Sequence, residues 1–117
     1  MATAEILVDT DVLIDHLRGA CRLRAGAGSL GISVVSRCEL FAGRDDPGLL
    51  REFLQPMVEL PVDSAIAELA GVTRRVTGIA TPDALIAATA LTHGIAVMTR
   101  DRRHFDRVAG LRVVSPA

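Results

Sequence analysis

A chain of 117 residues, half of them apolar, is long enough for one hydrophobic core and too short for two, so residues 1–117 are read as a single domain. The formal charge of −1 excludes attachment to nucleic acid by bulk electrostatics. The longest apolar runs are strand-sized, short of the roughly 20 residues a bilayer crossing needs, and Glu5–Asp15 is unlike a basic leader with an apolar centre. A cytoplasmic protein with no membrane partner is expected, with Cys21 and Cys38 as free thiols. All 13 basic residues are arginine, and Arg100, Arg102, Arg103 and Arg107 crowd near the C-terminus.

Glu5–Val8 is an apolar run ending in acids, which predicts a buried strand. From Asp11 the spacing of Val12, Leu13, Ile14 and Leu17 predicts a helix stopped at Gly19. Gly31–Val35 reads as a second strand, and Ser36 as the start of a helix that carries Glu39, Leu40 and Phe41. Asp45-Asp46-Pro47 opens another helix, with proline in the first turn, where its missing N–H costs nothing. Met57–Leu60 is a strand, and Asp63 caps a helix from Ser64 to about Val76. Thr81-Pro82-Asp83 starts an alanine-rich helix that runs to His93 and stops at Gly94. Ile95–Thr99 is the fourth strand, His104 and Phe105 form a helical turn against the core, and Arg112–Ser115 is the fifth strand. This alternation predicts an α/β fold around a mostly parallel sheet.

In such sheets function collects at the carboxyl ends of the strands. Asp9 follows the first strand, Glu39 lies a turn into the helix after the second, and Asp101 sits just past the fourth. Asp83 opens the helix feeding the fourth strand, which brings it to the same rim. Clustered carboxylates repel and call for a compensating cation. A hard ion with oxygen ligands, Mg²⁺ or Mn²⁺, suits them, and it can activate water against a phosphodiester. Each acid also has a local reading. Ser36-Arg37-Cys38-Glu39 fits a capping box, Asp83 complements a helix dipole, and Asp101 suits a turn. Asp9 alone lacks a local structural duty.

LVDTDVLID, SRCELFAG, TPDALIAATAL and TRDRRHF resemble, in order, the acid-bearing segments of the PIN-domain ribonucleases, and the chain is most similar to the VapC toxins of type II toxin–antitoxin pairs. The resemblance spans Asp9 to Phe105. It implies a three-layer α/β/α fold, Mg²⁺- or Mn²⁺-dependent RNA cleavage, a homodimer, and neutralisation by a VapB-type antitoxin. Carried over by position, Asp9, Glu39, Asp83 and Asp101 form the acidic site, with Asp9 and Asp83 as direct metal ligands. Thr99 fits a supporting hydroxyl. Asp11 departs from the commoner Ser or Asn, and either adds charge to the pocket or caps the helix at Val12. Arg100, Arg102 and Arg103 either grip RNA phosphates or form a solvated face.

Two rivals remain. Asp9-Thr10-Asp11-Val12 also resembles the start of haloacid-dehalogenase-type phosphatases, but the phosphoryl-holding lysine is missing, since the chain has none. A catalytically silent module that binds RNA or protein is the other, although binding alone does not require clustered carboxylates.

Overall fold

A computed structural model describes residues 3–19 and 29–116. The elements run β1 (Ile6–Val8), α1 (Thr10–Leu17), β2 (Leu30–Ser33), α2 (Val34–Phe41), α3 (Pro47–Leu54), β3 (Val58–Leu60), α4 (Ser64–Thr77), α5 (Thr81–His93), β4 (Ala96–Met98), α6 (Arg102–Phe105) and β5 (Val113–Val114). The five strands pair in the order β3-β2-β1-β4-β5, and every pair is parallel. The expected fold class therefore holds, with a sheet parallel throughout.

Because successive side chains of a strand point to opposite faces, Leu7 and Val8 of the central strand each seed a separate core. Val8 packs with Ile32 and with Val12, Leu13, Leu40, Leu50 and Leu54 from α1, α2 and α3. Leu7 packs with Val97 and with Ile66, Ala70, Ile86, Ala87, Ala90 and Phe105 on the other side. The result is three layers. α5 is buried on nearly every side (Ala84, Ile86, Ala87, Ala88, Thr89 and Ala90), as expected of a helix that is apolar all round. Its alanines let the sheet and α4 approach closely. Asp83 thus rides on the first turn of a helix clamped on both flanks.

From β1 the chain steps outward through β2 to β3, then returns by α4 and α5 to β4 on the other side of β1. The strand order reverses between β1 and β4, and ligands of open parallel sheets bind at such a reversal.

Two expected boundaries move. β2 ends at Ser33 and α2 begins at Val34, because Ser33 is the cap: its Oγ accepts from the Val35 amide at 3.0 Å. β-branched Val34 and Val35 read as strand by propensity, and the buried cap overrides them. α1 begins at Thr10, with Asp9 as its N-cap, so Asp11 caps nothing and stands exposed in the first turn. Gly94 ends α5 at φ +66°, a left-handed conformation that glycine adopts without cost. Cys38 is a free, exposed thiol on α2, and Cys21 lies outside the described residues. Among the described residues no helix is long and apolar enough to cross a membrane.

Candidate active site

The reversal point is occupied by Asp9. It leaves β1 directly, and its residue is only 5% exposed. One carboxylate oxygen, Oδ1, accepts from the Thr10 amide at 2.8 Å, and Oδ2 accepts from Thr99 Oγ1 at 2.9 Å. Thr99, fully buried at the end of β4, also accepts from the Asp101 amide at 3.0 Å. A single hydroxyl thus ties the acid after β1 to the acid after β4. The view that Asp9 has no local duty is corrected by its N-cap geometry.

Among the described residues no positive side chain figures among the groups that shift the Asp9 carboxylate. Burial pushes its pKa from 3.8 to about 6, the Thr99 and Thr10 hydrogen bonds oppose the rise, and the charges of Asp83 and Asp11 add to it. Asp83, half-buried, is raised as well. Burial is the main cause, His104 opposes it, and Glu39, Asp11 and Asp101 reinforce it. Asp9, Asp11, Glu39, Asp83 and Asp101 therefore act on one another as a single field. Asp11 joins that field rather than a helix cap.

Glu39 is on an exposed part of α2, and its Oε1 accepts from Thr10 Oγ1 at 2.7 Å. The capping-box reading of Glu39 falls, because Ser36 is inside the helix and its Oγ meets Thr10 Oγ1 at 2.8 Å. Asp101 opens α6 without capping it, and its Oδ2 pairs with His104 Nδ1 at 2.8 Å. The expected helical turn forms, and Phe105 packs into the core, but His104 faces outward to the acids instead of packing. Thr10, Ser36 and His104 were not foreseen. The signal available for Ser36 was its i, i+3 spacing from Glu39, which places both on one helix face.

Of the arginines, Arg100 is held by Asp15 of α1 at 2.8 Å, and Arg102 lies 4.0 Å from Asp106. Arg103 is exposed and makes no ion pair with a described residue.

The donor set suits a hard divalent cation: carboxylates and hydroxyls, with a carboxylate whose ionisation is held back by burial and by the neighbouring acids. Among the described residues no three His, Cys, Asp or Glu side chains are already gathered into an ion cage.

The model of the PIN domain matches residues 6–111, and the chain belongs to that family. Within it, the chain is 38% identical to Ribonuclease VapC10 of Mycobacterium tuberculosis, over 92% of this chain and 90% of the relative. Among solved structures it superposes on a toxin–antitoxin complex from Klebsiella pneumoniae with a TM-score of 0.77 and 29% identity, over 96% of this chain and 98% of that one. It also superposes on VapBC2 from Rickettsia felis, bound to a DNA fragment from its promoter, with a TM-score of 0.80, over 94% of this chain and 97% of that one. At 17% identity this second likeness speaks for the fold alone. The phosphatase reading of Asp9-Thr10-Asp11 falls with the family assignment.

Proposed function

We propose that this chain is a Mg²⁺- or Mn²⁺-dependent endoribonuclease acting in the cytoplasm as the toxin of a VapBC-type pair. The observation that carries the reading is Asp9: a carboxylate at the strand reversal, buried, held on both oxygens, and raised in pKa by burial and by the neighbouring acids Asp83 and Asp11. Asp9 and Asp83 would hold the ion, with Glu39 and Asp101 completing its surroundings. The bound ion supplies a lowered water pKa and neutralises charge developing on the phosphodiester. Thr99 and the Thr10 amide keep the Asp9 carboxylate aimed into the cleft. Arg102 and Arg103 bind and orient the RNA backbone through their guanidinium forks, while Arg100 first has to leave Asp15.

Two partners accompany the reading. A VapB-type antitoxin would be the partner, since the Klebsiella pneumoniae structure that this chain resembles is a toxin–antitoxin complex, and covering the acidic site would neutralise the toxin. A second copy of the chain would pack along α4, where Leu69, Val72 and Val76 stand exposed on one stripe beside a groove of about 210 Å³.

Cleavage of total cellular RNA by purified protein in Mg²⁺, Mn²⁺ or EDTA, wild type against Asp9→Asn, tests the activity. Discrete fragments that need metal and vanish in the variant support it. A silent binding module is the second reading, favoured by the absence of a ready ion cage among the described residues. It predicts no cleavage and no rise in Tm on adding Mn²⁺.

A further inference from the structure

We infer that Thr10, backed by Ser36, is a positioning residue that sets the geometry between Asp9 and Glu39 and thereby the affinity of the site for its cation. The inference rests on the metal-dependent reading above and identifies a device within the same site.

Thr10 bonds both acids at once. Its amide donates to Asp9 Oδ1 at 2.8 Å, and its hydroxyl donates to Glu39 Oε1 at 2.7 Å. An ionised carboxylate only accepts, so the single Thr10 proton is committed to Glu39, and the 2.8 Å contact with Ser36 has to be a donation from the serine. The order Ser36 to Thr10 to Glu39 follows from valence. Thr10 is 5% exposed and Ser36 fully buried, so neither hydroxyl has water as a ready substitute. Glu39 has three side-chain torsions and lies on an exposed stretch of helix, where alone it would sample many rotamers. The relay confines it to the side facing β1. Thr10 thus joins two acids 30 residues apart in sequence, on different helices, through one side chain.

The test compares Mn²⁺ binding by calorimetry, the Tm of metal-free protein, and RNA cleavage across four proteins: wild type, Thr10→Val, Thr10→Ser, and the double variant Thr10→Val with Ser36→Ala. Valine keeps the shape and removes the donor; the double variant also removes the serine hydroxyl that valine would strand, so that one of the pair folds well. The expected result is a Kd for Mn²⁺ raised about tenfold in both valine proteins, and wild-type affinity in Thr10→Ser. A purely structural Thr10 would lower Tm and leave the Mn²⁺ affinity of the folded protein unchanged, which overturns the inference. Failure of serine to restore affinity in a folded protein overturns it too. If the wild type binds no Mn²⁺, the functional reading falls as well; if the wild type binds and the valine proteins match it, this inference alone falls.

Discussion

The two halves of the candidate site are built in opposite ways. Asp9 and Thr99 directly follow the adjacent central strands β1 and β4, nearly out of water, with each side-chain polar atom committed to a partner. Glu39 and Asp101 stand on helix segments at the edge of the cleft, largely in water, and each is held through one side-chain contact. A desolvated carboxylate supplies strong, prearranged charge at a cost in stability, whereas an exposed one costs little and retains freedom to move. The difference teaches that the strand ends carry a fixed, desolvated carboxylate, while the helices carry acids with more freedom; under the proposed function the first is the anchor for the cation and the second complete its surroundings.

The largest test of that contrast is activity. Asp9→Asn should lower cleavage by more than about a thousandfold, several kcal/mol of charge stabilisation being lost. Glu39→Gln, which keeps an acceptor for the Thr10 hydroxyl but removes the charge, should lower it less. Fragment analysis of RNA digests by both variants checks the order, and equal losses would erase the distinction between anchor and mobile half.

Next comes the pH dependence of stability without metal. A carboxyl raised from 3.8 to about 6 on folding binds more protons in the folded chain than in the unfolded one across that interval. The stability it supports is therefore complete below about pH 4 and is lost as pH rises through 6, by about 3 kcal/mol in all. Urea unfolding from pH 4 to pH 7.5 should show this fall superimposed on the other titrations, and Asp9→Asn should flatten it. At neutral pH the metal-free variant should be the more stable protein. A wild type that gains stability across the same interval relative to Asp9→Asn would contradict the buried, uncompensated state of this acid.

Thr99→Val probes the anchor without touching a carboxylate. It removes the donor to Asp9 Oδ2 and the acceptor for the Asp101 amide. A loss of about 1–3 kcal/mol in unfolding free energy is expected, together with an Asp9 pKa pushed higher still, read by NMR titration. The smallest effect belongs to the opposite end of the molecule. Gly94→Ala meets no neighbour within 4 Å but keeps φ at +66°, so it should cost about 1 kcal/mol through the backbone alone and leave RNA cleavage unchanged.

Much of the architecture was legible along the chain because its signals are local. Alternating apolar runs mark the strands, Asp46-Pro47 and Asp63 open α3 and α4, and Gly94 closes α5, each through chemistry confined to a few residues. The start of α2 was misread because Val34 and Val35 favour strand by their own χ1 restriction, and only the burial of Ser33 decides for a cap. Ser36-x-x-Glu39 matched a capping pattern for the same reason: spacing alone cannot tell a helix start from a helix interior.

The four acids and their shared rim were determined by the sequence itself, since strand ends and helix starts follow from local patterns and a parallel sheet sends them to one edge. What tertiary structure alone decided are the bonds between them. Thr99 reaches Asp9 across 90 residues, Thr10 reaches Ser36 across 26 and Glu39 across 29, and His104 turns from the core to Asp101. Such contacts depend on which strands lie side by side and how deeply each group is removed from water. Those are properties of the packed molecule, and no local stretch of chain encodes them.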